Sequence, residues 1–126
     1  MNIDELKFGE IKQIAALLNG AASPADGLNR MIGQKVIIRT CSAGNFFGTL
    51  EAKSGDEIYL TNARRMWYWK AAQGISLSAC ALGGIDQAKS QIVAPVERIW
   101  LQAIEIIPCT QTAIESIEGA PHAQAR

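Results

Sequence analysis

Val36-Ile-Ile-Arg-Thr40, Phe46-Phe-Gly-Thr-Leu-Glu-Ala52 and Glu57-Ile-Tyr-Leu-Thr-Asn62 are three short runs rich in β-branched and aromatic residues. The breaks between them, Ser42-Ala-Gly-Asn45 and Ser54-Gly-Asp56, supply Gly, Asn and Asp, the residues that reach the positive φ angles of tight hairpins. This spacing predicts a three-stranded antiparallel meander. Strand alternation puts Phe46, Gly48, Leu50 and Ala52 on one face and Phe47, Thr49, Glu51 and Lys53 on the other.

Upstream, Ile3, Leu6, Phe8, Ile11, Ile14, Ala15, Leu17 and Leu18 recur at the spacing of an amphipathic helix, with Asn2 or Asp4 as its cap and Asn19-Gly20 as its end. Gly20 to Gly27, with Ser23-Pro24 and Asp26-Gly27, reads as a loop. Downstream, Ser76-Leu-Ser-Ala-Cys-Ala-Leu82 predicts a short helix capped by Ser76 and ended by Gly83-Gly84. Pro95 limits any strand before it. Arg98 to Ile107 alternates with Ile99, Leu101 and Ala103 on one face, then Ile104 and Ile106 on the other. That change of phase predicts a bulge, or a strand passing between two packing environments. Pro108 ends the run, and Thr110 or Thr112 caps a last helix through Ile114 and Ile117. The expected fold is α+β: an antiparallel β-sheet core with an N-terminal amphipathic helix, a short mid-chain helix and a C-terminal helix. It forms one domain over 1–126, with helix and loop at 1–27, sheet core at 35–117 and a disordered tail at 118–126.

Composition narrows the function. A chain of 126 residues can bury one core without staples. Lys plus Arg equals Asp plus Glu, so no broad positive field is available to gather duplex nucleic acid by counterion release, whereas a small anion remains a suitable partner. Cys41, Cys80 and Cys109 are odd in number, widely spaced and without a Cys-x-x-Cys pair, which predicts neither a disulfide framework nor a zinc site and fits a reduced, cytoplasmic protein. The start of the chain has two acids and no basic region, and its apolar stretches fall short of the roughly 18 residues a membrane span needs, so neither secretion nor membrane insertion is expected. The single histidine, His122, lies in the tail, which argues against Ser-His-Asp, Cys-His and His-metal chemistry. No catalytic residue, metal or cofactor is expected.

Arg64-Arg-Met-Trp-Tyr-Trp-Lys70 concentrates flat π surface between cations, the combination that recognises a base and its phosphates. Residues i and i+4 share a face in either a strand or a helix, so Arg65 is expected beside Trp69 and Arg64 beside Tyr68. The competing reading places the tryptophans in the core and the arginines in surface ion pairs. Trp100 is assigned to packing. A second candidate is Arg39-Thr-Cys-Ser-Ala-Gly-Asn45, where a cation, hydroxyls and the approachable backbone of Gly44 can cradle an anion, or form only a polar hairpin turn. Asn62 suits a base edge or a turn, and Glu105 suits ribose hydroxyls, a partner arginine or plain exposure.

Val36-Ile-Ile-Arg-Thr-Cys-Ser-Ala-Gly44, Phe47-Gly-Thr-Leu50, Leu60-Thr-Asn-Ala-Arg-Arg-Met-Trp-Tyr-Trp69, Ser76-Leu-Ser78 and Ala103-Ile-Glu-Ile-Ile-Pro-Cys109 resemble the phage Thoeris anti-defence family of signal sponges. The resemblance implies a protein that captures, without catalysis, the glyco-cyclic ADP-ribose isomer made by bacterial TIR-domain enzymes. It further implies dimers assembled into hexamers, with pockets that in some members hold cyclic oligonucleotides. On this reading Trp67, Trp69 or Phe47 stacks the base, Arg39, Arg64 and Arg65 bind phosphates, and Thr40, Ser42, Gly44 and Asn62 meet hydroxyls, phosphate or base edges. Two rivals remain. Phe47-Gly-Thr-Leu50 with Gly55-Asp56 and Tyr59-Leu60 faintly resembles an Sm-like ring that binds single-stranded RNA, and Glu105 or Cys41 would serve a signal-degrading enzyme.

Overall fold

The computed structural model describes residues 30–124. The expected N-terminal helix and the loop through Gly27 lie outside the described residues, as do the last two residues of the tail. The fold is α+β, as expected. The three runs form β1 (Lys35–Thr40), β2 (Asn45–Ser54) and β3 (Glu57–Tyr68). Gly44 and Gly55 turn the two hairpins at φ of 95° and 62°, angles that carry little cost only for glycine. β3 runs on through the aromatic cluster, so that segment is strand as far as Tyr68.

Two further strands follow, β4 (Gln91–Ile92) and β5 (Val96–Pro108). All five pair antiparallel. β5 changes partner midway: Val96 to Gln102 lie along β3, and Ala103 to Pro108 lie along β1. Because β1 also pairs with β2 and β2 with β3, the ladder β1–β2–β3–β5 returns to β1, and the meander closes into a small barrel with β4 added outside β3. The hinge is a bulge. Arg39 lies opposite Glu105 but Thr40 lies opposite Ala103, which leaves Ile104 unpaired. This is the predicted change of phase, and its physical effect is to bend β5 far enough to serve two neighbours.

A second bulge sits on β3. Thr49 faces Thr61 and Phe47 faces Arg64, so Gly48 stands opposite two residues, Asn62 and Ala63. Asn62 takes φ of 50°, the only positive value at a non-glycine among the described residues. A Cβ on Gly48 would lie 2.8 Å from both Leu60 Cγ and the Thr61 carbonyl, so the bulge closes only over glycine. Beyond Asn62 the alternation shifts: Ile58, Leu60 and Ala63 face the barrel interior, whereas Arg64 and Met66 face outward. Asn62→Val should cost about 2 kcal/mol and lower the melting temperature by roughly 8 °C, because a β-branched residue is strained at this φ. Asn62→Gly should melt within a few degrees of the parent, and thermal denaturation of the pair checks the assignment.

Two apolar clusters follow from these phases. Val36, Ile38, Phe46, Leu50, Ile58, Leu60, Ala63, Leu101 and Ala103 fill the barrel. Ile37, Phe47 and Met66 point outward and are covered by Leu77, Cys80 and Ala81 of α1 (Leu77–Gly83), by Ile85 and Ile92, and by Ile117 of α2 (Gln111–Glu118). β1 and the start of β2 therefore bury both faces, which is why Val36-Ile37-Ile38 is apolar throughout and why both Phe46 and Phe47 are buried. Each helix starts as expected: Ser76 accepts from the Ala79 amide, and Thr110 accepts from the Ala113 amide. Thr110 also donates to the Leu82 carbonyl at 2.6 Å, tying the end of α1 to the start of α2. Lys35 and Glu118 pair at the other end of α2.

The tail departs from expectation. Through Gln124 it is laid against the sheet rather than disordered: Ala120 is buried, His122 forms a parallel bridge with Ile92, and the Ala123 amide donates to the Ile92 carbonyl at 2.8 Å. No periodic apolar pattern marks this segment, because its anchor is contributed from β3.

Candidate ligand-binding site

That anchor is Arg64. Only 4% of the residue is exposed, and its guanidinium donates to the carbonyls of Val93 (2.8 Å), Ile117 (2.8 Å), Ala120 (3.0 Å) and Ile92 (3.1 Å), with Glu118 at 3.4 Å. The carbonyls of Ile117 and Glu118 are among those that the end of α2 leaves without helical partners, so the cation also meets the negative end of the helix dipole. Burial lowers the Arg64 pKa from its ordinary value. The sequence reading gave this residue a phosphate; the structure corrects it, because the fork is already spent on backbone. Phe47, 2% exposed in the outer cluster, is likewise framework rather than a stacking surface, and Trp69 is partly buried against the same cluster.

Arg65 faces the other way. Its guanidinium lies 4.4 Å above the centre of the Phe46 ring and donates to the Ala43 carbonyl. The side chain thus caps the end of the barrel and holds the β1–β2 turn. The expected pairs Arg65–Trp69 and Arg64–Tyr68 do not form. Met66 pairs with Ile92 and Tyr68 with Gln91, so Trp67 is an extra, bulged residue that breaks the period of two. The bulge leaves Trp67 and Tyr68 68% and 60% exposed, beyond the last β2–β3 pair at Asn45–Met66.

The anion-cradle candidates gather at this same end. Thr40 is used by the turn itself: its hydroxyl donates to the Gly44 carbonyl at 2.7 Å and accepts from the Ala43 amide at 2.9 Å. Ser42 is exposed at the tip, and Gly44 lies under Arg65, whose Nη1 would be 3.9 Å from a Cβ placed there. Arg39 is exposed and paired with Glu105 at 2.9 Å, which gives Glu105 a cross-strand partner. Of the sequence candidates, Arg39, Thr40, Ser42, Gly44, Arg65 and Trp67 therefore share one end of the barrel. Asn62 stands apart, where it lines a shallow recess with Phe47, Arg64, Pro95, Glu118 and His122.

A cleft of about 300 Å³ opens beside the turn, lined by Thr40, Cys41, Ser42, Ala43, Asp56, Trp100, Leu101, Gln102 and Ile104. Trp100 was read as packing, yet it is half exposed and forms this wall. The signal was in the alternation: Ile99, Leu101 and Ala103 take the inward face, which leaves Arg98, Trp100 and Gln102 on the outward one. Cys41 is exposed, whereas burial pushes the thiols of Cys80 and Cys109 up to about 11 and about 12. Those two stay protonated at neutral pH and are poor nucleophiles. Among the described residues, no three His, Cys, Asp or Glu side chains cluster as metal ligands would, and no helix is long and apolar enough to cross a membrane.

Fold and site together define a small closed α+β barrel with a basic and aromatic end. The chain belongs to the family described as Domain of unknown function (DUF6948), which matches residues 33–117. No curated protein matches it. The matched region stops at the end of α2, so the Ala120 carbonyl that Arg64 holds comes from chain beyond it.

Proposed function

We propose that the protein captures a small cyclic nucleotide, of the ADP-ribose-isomer class used as a bacterial immune signal, and holds it without turnover. The observation that carries this reading is Arg65: an exposed guanidinium, oriented by the Phe46 ring and the Ala43 carbonyl, with no carboxylate partner among the described residues. Such a cation is free to bind phosphate while the turn keeps it in place, so little ordering entropy is lost on binding. Trp67 offers a ring face nearby in sequence and on the same strand, and Ser42 offers a hydroxyl at the turn tip. Self-association into dimers and hexamers would bring such ends together, as the family resemblance implies, and the place of action is the host cytoplasm.

Calorimetric titration with a cyclic ADP-ribose isomer tests the reading. Arg65→Ala should weaken binding by about 30-fold or more, the scale of a lost charge-assisted contact, while the melting temperature moves by only a few degrees. Heating the complex should release intact ligand at about one equivalent per site. Progressive conversion of excess ligand would point instead to an enzyme, and unchanged affinity in Arg65→Ala would remove this end of the barrel from consideration. The closed barrel favours one other reading, an Sm-like binder of single-stranded RNA. That protein would bind more tightly as the oligonucleotide lengthens and lose affinity steeply with salt.

A further inference from the structure

The outer face of β2, β3 and β5 carries a row of side chains that is one cation short. Glu51 holds Arg98 through two hydrogen bonds of 2.8 and 2.9 Å, and Arg98 lies 4.5 Å above the centre of the Tyr59 ring. Tyr59 pairs directly with Trp100 across the two strands. Trp100 in turn donates its indole N–H to Glu57 at 3.2 Å. The order is carboxylate, cation, ring, ring, carboxylate. Glu51, Arg98 and Tyr59 complete one cation–π unit; Trp100 and Glu57 form the matching half with no cation between them.

A cleft of about 190 Å³ lies there, bounded by Ala52, Lys53, Glu57, Tyr59 and Trp100. Glu57 has no cationic partner among the described residues. The one basic side chain at the cleft, Lys53, donates its ammonium to the Gly55 carbonyl at 2.7 Å instead. Trp100 is about half exposed, and its hydrogen bond to Glu57 fixes the indole plane. A rigid indole face, a neighbouring phenol ring and an unneutralised carboxylate are what attract a poorly hydrated organic cation.

We propose that this cleft is a binding site for a small organic cation of the alkylammonium class, seated against Trp100 and neutralised by Glu57. It shares Trp100 with the cleft beside the β1–β2 turn but includes neither Arg65 nor any residue of that turn, has the opposite charge preference and does not depend on the nucleotide reading. Lys53 opposes the guest electrostatically and sets the affinity low.

Titrating the full chain with choline while following the Trp100 indole N–H by NMR, assigned through Trp100→Phe, tests the site. A saturable shift in the millimolar range is expected, with the neutral isostere 3,3-dimethyl-1-butanol binding at least about tenfold more weakly. Glu57→Gln keeps an oxygen for the indole but removes the charge, and should weaken choline by roughly tenfold, whereas Lys53→Met should tighten it about threefold. Equal binding of the neutral isostere, an unchanged midpoint in Glu57→Gln or a shift that never saturates would each overturn the proposal. Because both charge variants are on the surface, loss of folding does not cloud the outcome.

Discussion

Replacing Arg64 by alanine is expected to lower the melting temperature by about 15 °C, the largest drop for any single charged residue described here. Its guanidinium satisfies four carbonyls within 3.1 Å, drawn from β4, the loop after it, the end of α2 and the tail. Truncation leaves the Val93 and Ala120 carbonyls without this partner, while those of Ile92 and Ile117 keep the Ala123 and Ala120 amides, in a site where Arg64 is 4% exposed. Buried acceptors without partners cost about 1 to 3 kcal/mol each before relaxation, so a net loss of about 4 kcal/mol is a moderate expectation. Arg64→Lys should recover only part of it, since a single ammonium cannot span acceptors that a planar fork reaches in several directions. Hydrogen exchange supplies the local test. The Ala123 amide, bonded to the Ile92 carbonyl, should lose protection in Arg64→Ala while β1 amides in the barrel keep theirs. Equal loss across the chain would mean that Arg64 supports the barrel rather than the docking of the tail.

Gly84→Ala should cost a similar amount for a different reason. Gly84 closes α1 at φ of 87° and ψ of −165°, a region open almost only to glycine. A Cβ there would fall 2.5 Å from Ser116 Cβ and 2.6 Å from Ser116 Oγ. Ser116 cannot step aside freely, because its hydroxyl accepts from the Ile85 amide at 3.0 Å and donates to the Ile85 carbonyl at 3.2 Å. Backbone strain and overpacking together amount to about 4 kcal/mol. The two causes can be separated by a double-mutant cycle. Ser116→Gly in the Gly84→Ala background should restore the part due to the clash and leave the φ strain, so the two substitutions should couple by more than about 1 kcal/mol. Strict additivity in chemical denaturation would show that the close approach between Gly84 and Ser116 contributes nothing.

Arg64 and Arg65 explain why the candidate site was only partly legible. The two residues are identical and adjacent, and nothing local distinguishes them. The bulge at Asn62 decides which points outward beneath the tail and which points to the mouth of the barrel, and its partner Gly48 lies on another strand. The same applies to the aromatics. Trp67 is exposed because β4, only two residues long, pairs on either side of it. Trp69 is partly covered because helix and loop residues far along the chain build the outer cluster it packs against.

The amino-acid sequence by itself determined the elements whose causes are local. These are the hairpins at Gly44 and Gly55, the helix caps at Ser76 and Thr110, the α+β class and the bulge in β5, each written in a few consecutive residues. Only the tertiary structure decided that the meander closes, that the tail docks, and that of two neighbouring arginines one is buried framework and the other stays exposed at the end of the barrel. Those outcomes depend on pairing between strands and on carbonyls more than 25 residues from Arg64 in sequence. Residue identity sets what a side chain can bind; the backbone phase, set by distant partners, settles which face it serves.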